Sequence, residues 1–296
     1  MIPKQVTTFL ESLTGRSPET IQNYTSFANV LFGYVQKPVK DLTVQDIMSF
    51  LKWGVEKQHW TLSTMHQYAQ VAYRFMGEWK DEDFLKELTK QIRMLPKIRK
   101  YAHLYEGIYI PSDKIDAFIN AAPNEEYAVC ATMILKWGFR LSEALGQTLE
   151  DINPKLLRVI ARGKGGGFEH KARPVWVDRA SLQRVLNFAG CIASEVNGAE
   201  QIRRKGKIIN LSPRSVEFAW KKAAKKIGLP YWSKLTPHDG RHSYAIDFII
   251  KRKKEGMAAL VLLKNQLGHS NINTTLIYLD IAGTEAREVF DAGIQE

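Results

Sequence analysis

No apolar run in the 296-residue sequence approaches the roughly 18 residues that a membrane-spanning helix needs, and no signal stretch begins at residues 1–5. Cysteine is scarce. Cys130 and Cys191 both lie among apolar neighbours, which predicts buried free thiols in a reducing compartment. Clusters with metal-site spacing are absent, as are the paired carboxylates of a metal-dependent nuclease. We therefore expect a cytoplasmic protein with no membrane partner, no metal and no cofactor.

Positive charge, in contrast, is abundant. The chain has 42 lysines and arginines against 31 acidic residues, a formal net charge of +11. Such an excess favours a polyanionic partner, and nucleic acid is the first candidate, because clustered cations displace counterions from phosphate backbones. Residues 201–226 hold nine of these cations and one acid, Glu217. We predict that this segment lies along a phosphate backbone, although a solvated helix face remains the alternative. The residues assigned to this contact are Arg203, Arg204, Lys205, Lys207, Arg214, Lys221 and Lys222.

The first 95 residues show helical patterns only. Ser17-Pro18-Glu19 has a capping serine and a first-turn proline, and Thr43 with Asp46 resembles a capping box. A third helix is predicted from Leu62 to Trp79. A basic run that begins at Pro96 then interrupts the pattern. The predicted organisation is a helical domain (1–95), a basic linker (96–107) and a second domain (108–296).

The second domain has a mixed pattern. Helices are predicted over 112–121 and 125–137, and Gly138 then allows a tight approach of the backbone before Arg140. Two apolar, β-branched runs, 156–161 and 172–177, flank a glycine-rich turn and predict a β-hairpin with Lys164 at its tip. This pattern is typical of a mostly helical α+β domain with a small β-hairpin or sheet.

Six side chains of the second domain have the chemistry that breaking a phosphodiester requires. The reaction needs a nucleophile, cations for the non-bridging oxygens and a proton for the departing sugar oxygen. A tyrosine hydroxyl can attack and form a covalent link, paired guanidinium groups match phosphate oxygens, and histidine or lysine can transfer protons. The candidates are Tyr278 as nucleophile, Arg140 and Arg241 as phosphate-binding groups, and His238, His269 and Lys164 as proton-handling groups.

The motifs around these residues resemble the tyrosine recombinases, also called the phage integrase or Xer-like family. The resemblance covers roughly residues 110 to 282, and the order of the motifs and the gaps from His238 to Arg241 and from His269 to Tyr278 fit the family pattern. The motifs are Gly138-Phe139-Arg140-Leu141-Ser142-Glu143-Ala144-Leu145, Gly163-Lys164-Gly165-Gly166, His238-Asp239-Gly240-Arg241-His242-Ser243, Leu267-Gly268-His269-Ser270 and Thr274-Thr275-Leu276-Ile277-Tyr278.

The resemblance implies a fold and a mechanism. A helical, DNA-binding (core-binding) N-terminal domain and a mostly helical α+β catalytic domain would close around duplex DNA as a C-shaped clamp. Tyr278 would form a 3′-phosphotyrosine and free a 5′-hydroxyl, which then attacks the partner strand. Lys164 would be the general acid and Glu143 would orient Arg140. Four copies would assemble on two DNA sites, and the protein would be nucleoid-associated when bound to DNA.

Two features depart from the family pattern. Gly240 stands where the family usually has leucine, and the stretch from Arg241 to His269 runs longer, through the basic run 251–254. Neither touches a candidate catalytic position.

Other interpretations stay open. Taken singly, Arg140 could be a surface arginine, Lys164 a solvated hairpin lysine and Tyr278 a core aromatic; only the combination argues otherwise. A relaxing topoisomerase would use the same tyrosine attack, and a non-catalytic architectural protein would share the DNA binding. The apolar face of the tail after residue 285 could pack on its own chain or on a neighbouring copy.

Overall fold

The computed structural model describes residues 4–13, 15, 18–97, 102–162, 172–190, 194–196, 199–201 and 206–283. Several predicted features lie outside the described residues: Lys164, Cys191, Arg203, Arg204, Lys205 and the tail after residue 283. The chain divides into two compact units, and the division falls between Lys100 and Tyr101. No helix in the described ranges is long and apolar enough to cross a membrane.

The first unit is helical, as the sequence predicts. Thr43 caps the helix Val44–Lys57: its hydroxyl accepts a hydrogen bond from the Asp46 N–H at 3.1 Å, and its own backbone N–H donates to the Asp46 carboxylate at 2.9 Å. The helix expected to reach Trp79 ends earlier, at Met76, and the Trp79 ring packs 4.5 Å from the Phe75 ring. The helices are α1 (Lys4–Ser12), α2 (Pro18–Val35), α3 (Val44–Lys57), α4 (Leu62–Met76) and α5 (Glu82–Arg93).

The second unit is mostly helical. The helix α8 (Glu125–Trp137) is buried at every residue from Ala128 to Leu135, which matches the nearly continuous apolar sequence of that stretch. Leu104 is buried among residues of the last three helices, although it belongs to the predicted linker. The helices are α6 (Ala102–Tyr105), α7 (Ile115–Asn120), α8 (Glu125–Trp137), α9 (Leu141–Gly146), α10 (Arg179–Phe188), α11 (Pro213–Lys226), α12 (Pro237–Lys251), α13 (Met257–Leu267) and α14 (Asn273–Ala282).

A small antiparallel sheet lies in the same unit. The predicted hairpin is present as β2 and β3, which pair from Arg158 with Trp176 to Arg162 with Ala172. Val159 and Val175 face the core. The tip that would carry Lys164 lies in 163–171, outside the described residues. The strands are β1 (Ile152–Asn153), β2 (Arg158–Arg162) and β3 (Ala172–Trp176), in the order β1-β2-β3, and a separate pair, β4 (Ser194–Val196) and β5 (Ala199–Gln201).

The structure explains why Gly240 replaces a larger residue. A Cβ atom at this position would lie 2.4 Å from the Trp220 indole and 3.0 Å from the Ile134 side chain. The indole is buried, so it occupies the volume that a leucine side chain would need.

The occupied space beside Gly240 predicts the effect of a leucine at this position. Gly240→Leu should destabilise the protein by about 1–3 kcal/mol, because overpacking forces neighbouring side chains from their preferred rotamers. The double variant Gly240→Leu with Trp220→Ala should lose less stability than the sum of the losses in Gly240→Leu and Trp220→Ala alone, because removal of the indole leaves room for the leucine. Chemical denaturation of the wild type and the three variants measures both effects. A single variant as stable as the wild type would contradict the packing argument.

Candidate active site

Arg140 lies at a sharp junction between α8 and α9. Gly138 ends α8 with φ +70°, and a Cβ atom there would lie 2.6 Å from the Tyr244 ring, so both conformation and space require glycine. Arg140 then precedes α9, and its backbone N–H donates to the Glu143 carboxylate at 2.8 Å. The turn fixes the backbone of Arg140, while 39% of its side chain remains exposed.

One buried carboxylate, Glu143, gathers three guanidinium groups. It accepts hydrogen bonds from Arg140 Nη1 at 2.6 Å and from Arg173 Nη1 and Nη2 at 2.6 and 2.9 Å. Arg241 Nη1 lies 3.5 Å from the same carboxylate. Burial by itself raises the pKa of Glu143, but the Arg173 hydrogen bonds and charge, the Arg140 N–H and the Arg241 charge outweigh it, so the pKa lies below its ordinary value. Glu143 is therefore an anion that holds three cations in place.

Arg241 is a buried cation on the first turns of α12. The helix begins after Thr236, whose N–H and hydroxyl both donate to Asp239 Oδ2 at 2.7 Å. The Arg241 side chain is 2% exposed and donates to the carbonyl oxygens of Gly138, at 2.8 Å, and Leu267. Burial lowers the pKa of Arg241 to about 9, with help from the other two arginines. The group still carries its proton at neutral pH, so the site is positive and suited to an anion.

Arg173 was missed by the sequence analysis. It lies on β3, forms two hydrogen bonds with Glu143 and donates from Nε to the Gln266 carbonyl oxygen at 2.9 Å. A Cβ atom at Gly268 would lie 2.6 Å from its side chain. Arg173 thus ties the hairpin to the Arg140 turn and to the corner that precedes His269. The sequence feature that could have identified Arg173 is a single arginine inside an otherwise apolar strand.

His269 lies at the corner between α13 and α14. Its Nδ1 is 2.9 Å from the Thr275 hydroxyl, and its ring is nearly parallel to the Tyr278 ring, at 6.5 Å between centroids. Burial is the largest cause that lowers the pKa of His269 to about 4, and the charges of Arg241, Arg140, Arg173 and His238 add to it. The imidazole is therefore neutral at physiological pH.

This shift predicts the titration of His269. Its ring should stay neutral until the pH falls to about 4, instead of gaining a proton near its ordinary value of 6.5. Between pH 6.5 and pH 4 the unfolded chain binds a proton at this histidine and the folded chain does not. The free energy of unfolding therefore falls as the pH falls through this range. Proton–carbon NMR of the histidine rings, assigned with a His269→Gln variant, measures the pKa. A midpoint near 6.5 would refute the electrostatic picture.

Tyr278 is buried on α14, with 1% of its surface exposed. Its hydroxyl is 2.8 Å from Nδ1 of His242, which is also buried. The exposed His238 packs its ring edge-on against His242, at 4.5 Å between centroids. Tyr278 is close enough to Arg241 for its phenol to raise the pKa of that arginine. The hydroxyl therefore lies inside the site but is not open to solvent, so a large substrate must change the surroundings to reach it.

A cavity of about 590 Å³ adjoins this cluster. Its lining includes Arg173 and His269 of the site and further cations, Arg252 and Lys264. Within the described ranges, no group of three or more His, Cys, Asp or Glu residues could hold a metal ion. The cavity therefore presents cations rather than carboxylates to a ligand.

The structure also describes four of the residues predicted to contact a phosphate backbone. Lys207, Arg214, Lys221 and Lys222 are all exposed. The last three belong to α11, whose apolar face is buried through Val216, Ala219, Trp220, Ala223 and Ala224. Phe218 is 63% exposed on the outer side, and Lys222 Nζ lies 4.6 Å from its ring centroid.

The sequence is similar to known protein families and to individual relatives. Residues 109–285 match the phage integrase family, and residues 3–84 match the phage integrase N-terminal SAM-like domain. The chain is 25% identical to tyrosine recombinase XerA of Pyrococcus horikoshii, over 98% of this chain and 92% of that protein. It is also 25% identical to tyrosine recombinase XerC of Leptospira interrogans, over 97% of this chain and 91% of the relative.

Solved structures show the same fold. The Tn1549 transposon integrase in complex with transposon right end DNA aligns with a TM-score of 0.68 and 15% identity, over 98% of this chain and 97% of that one. The XerH site-specific recombinase bound to a palindromic difH substrate aligns with a TM-score of 0.67 and 17% identity, over 98% and 83% of the two chains. Because the family match covers more than half of the sequence, the chain belongs to the phage integrase family of tyrosine recombinases.

Proposed function

We propose that the protein is a site-specific DNA recombinase in which Tyr278 cleaves and rejoins DNA strands through a phosphotyrosine link. One observation carries the proposal. Arg140 and Arg241, about 100 residues apart in sequence, share the Glu143 carboxylate, and the Tyr278 hydroxyl is 2.8 Å from Nδ1 of His242, the residue that follows Arg241. A cationic cluster beside a phenol is the arrangement that attack on a phosphodiester needs. Membership of the family supports the same reaction.

Arg140 and Arg241 are assigned to the scissile phosphate. Arg140 exposes 39% of its side chain and can meet an incoming phosphate directly. Arg241 is held by two carbonyl oxygens, so its charge is in place before DNA arrives. Preorganised charge of this kind stabilises the developing transition state without reorganisation. Glu143 and Arg173 position the two groups.

His238 and His269 are assigned to hydrogen bonding or proton transfer at the phosphate, and Lys164 to protonation of the leaving group. His269 is neutral, and its Nδ1 lies 2.9 Å from the Thr275 hydroxyl. In the tautomer whose Nδ1 accepts from that hydroxyl, Nε2 carries the proton and can donate to a phosphate oxygen. His238 is exposed at the start of α12. Lys164 is assigned as the general acid for the departing 5′-oxygen; its position lies outside the described residues, and its role rests on the sequence motif.

Duplex DNA is the proposed partner, with four copies of the chain on two DNA sites in the cytoplasm. The structures that share its fold include a recombinase bound to a difH substrate and an integrase bound to transposon DNA. The net charge of +11 agrees with a polyanionic partner. Proposed boundaries follow the sequence: a DNA-binding domain at 1–95, a linker at 96–107 and a catalytic domain at 108–296.

The proposal is tested with nicked suicide duplexes that cover the DNA flanking the gene, incubated with the protein in EDTA. A covalent protein–DNA product should form, and mass spectrometry after nuclease and protease digestion should find the nucleotide on Tyr278. A product attached to another residue, or none on any flanking duplex, would overturn the proposal. Joining of strands from two sites supports recombination, whereas relaxation of one supercoiled circle alone would favour the topoisomerase alternative.

The exposed face of α11 gives a further prediction. Charge reversal at Lys221 and Lys222, both to glutamate, should weaken DNA binding equally on all sequences and reduce the slope of log affinity against log salt by about 2, since each lysine contacts one phosphate. Fluorescence anisotropy across a salt series, on specific and unrelated duplexes, measures this. Loss confined to the specific duplex would argue that α11 reads bases instead.

A further inference from the structure

The proposed chemistry leaves one question open: which group takes the phenolic proton when Tyr278 attacks. The hydroxyl contacts His242, whose Nδ1 is 2.8 Å from Tyr278 Oη. The two side chains are 3% and 1% exposed, so bulk water has little access to this hydrogen bond. A base within hydrogen-bond reach of the proton it removes meets the first, geometric requirement of general-base catalysis.

We infer that His242 is the proton acceptor for Tyr278 in the strand-cleavage step, an inference that rests on the proposed function. This role requires the neutral tautomer of His242 that carries its proton on Nε2, because only then can Nδ1 accept the hydrogen bond from the phenol; the 2.8 Å contact is compatible with this direction. His242 thereby becomes a catalytic residue, since it contacts the reacting oxygen.

The step balances in atoms and charge. The Tyr278 oxygen forms a bond to phosphorus while its proton moves to His242 Nδ1. The bond between phosphorus and the 5′-oxygen breaks, and that oxygen takes a proton from the general acid assigned above. In the reverse step the 5′-hydroxyl attacks the phosphotyrosine, and the His242 imidazolium returns its proton to the departing phenol oxygen.

The other two histidines of the cluster suit this role less well. Nδ1 of His269 is engaged with Thr275, and its ring is stacked nearly parallel to the Tyr278 ring at 6.5 Å. Its low pKa, about 4, makes it a weak base. His238 is exposed and reaches the cluster through the edge of the His242 ring, a position that suits contact with DNA. His242, in contrast, has its Nδ1 2.8 Å from the nucleophilic oxygen.

The position of His242 in the helix is also favourable. It follows Arg241 directly, on a part of α12 that is buried from Asp239 to Ile246. A phosphate held by Arg241 and a phenol held by His242 are thus aligned by one rigid turn of backbone. Sites built on helices hold such alignments better than sites on loops.

The test uses two substitutions and a change in the acidity of the nucleophile. His242→Asn keeps a polar group near the position of Nδ1 but cannot accept the proton, and His242→Leu removes the polar group. Each is prepared with tyrosine and with 3,5-difluorotyrosine at position 278, a phenol more acidic than the ordinary one with its pKa near ~10. Single-turnover cleavage of a suicide duplex is measured, with circular dichroism and noncovalent DNA binding as checks on folding.

Both variants should cleave about 10²–10⁴-fold more slowly than the wild type. Difluorotyrosine should restore at least about tenfold of that loss, because an acidic phenol needs less help to lose its proton. A His242→Asn protein that cleaves at the wild-type rate, or a folded slow variant that difluorotyrosine does not accelerate, would overturn the inference. If the wild-type protein still forms an adduct on Tyr278, either of these two results contradicts only the role of His242 and leaves the proposed function intact. If the wild-type protein forms no adduct on Tyr278, the proposed function and the role of His242 both fail.

Discussion

Replacing Tyr278 by phenylalanine is expected to abolish covalent capture of DNA while noncovalent binding persists. The substitution removes one oxygen atom, the phenolic oxygen that contacts His242. Loss of a catalytic nucleophile costs on the order of 10⁶-fold in rate, which is beyond the range of a gel assay. The variant should fold, since phenylalanine fills nearly the same volume. Loss of the hydrogen bond to His242 should lower the free energy of unfolding by about 1–3 kcal/mol, because a buried polar group loses its partner.

Tyr244 supplies the matched control. It is a buried tyrosine in the same apolar cluster as Tyr278, and burial raises the pKa of its hydroxyl, with a hydrogen bond to Gln266 opposing the shift. Tyr244→Phe should therefore suffer a comparable loss of stability and still form the adduct. The measurement is adduct formation on suicide duplexes over several hours, together with binding by electrophoretic mobility shift. An adduct that forms with the Tyr278→Phe protein would disprove the assignment of the nucleophile.

The helices with clear ends could be predicted from sequence. The limits of α8 follow from its apolar run and from Gly138, and the entries to α3 and α11 follow from their capping residues. Local chemistry decided these boundaries. The two-residue strand β1 carries no pattern of its own and forms because β2 offers a partner. The early end of α4 coincides with Gly77, its C-cap, a local signal that the prediction of a helix to Trp79 overlooked.

For the site, sequence motifs predicted which residues belong to the cluster, and the structure brings Arg140, Arg241 and Glu143 together. Arg173 and His242 were not predicted to act there. Each acquires its meaning through a partner distant in sequence: Arg173 through Glu143, 30 residues away, and His242 through Tyr278, 36 residues away. The burial of the Tyr278 hydroxyl also depends on tertiary packing, which the sequence motif does not contain.

The convergence of three cations on Glu143 leads to the second large prediction. Glu143→Ala should lower the free energy of unfolding by about 3–5 kcal/mol, the usual cost when one partner of a buried ion pair is removed, and the melting temperature by on the order of 10 °C. The carboxylate is fully buried, and Arg241, at 2% exposure, has little water to replace it. Repulsion among the guanidinium groups that remain adds to the loss.

The surface pair of Glu125 and Arg184 provides the comparison. It is also a two-pronged contact, with distances of 2.7 and 3.0 Å, but its side chains are 50% and 31% exposed. Glu125→Ala should cost no more than about 1 kcal/mol, because water screens and replaces the lost interaction. Glu143→Gln, which keeps the shape and removes the charge, should fall between Glu143→Ala and the wild type.

The pH dependence separates charge from packing at Glu143. Its pKa in the folded protein lies below the ordinary value of 4.5, so its contribution is fully present above that value and is lost as the pH falls through the lower, folded value. The stability gap between the wild type and Glu143→Ala should therefore be constant at neutral pH and narrow in acid. Denaturant titrations at pH 7, 5 and 3.5 measure the gap. A gap that stays the same at all three would assign the loss to a cavity, and the three arginines would then owe their positions to packing rather than to the shared anion.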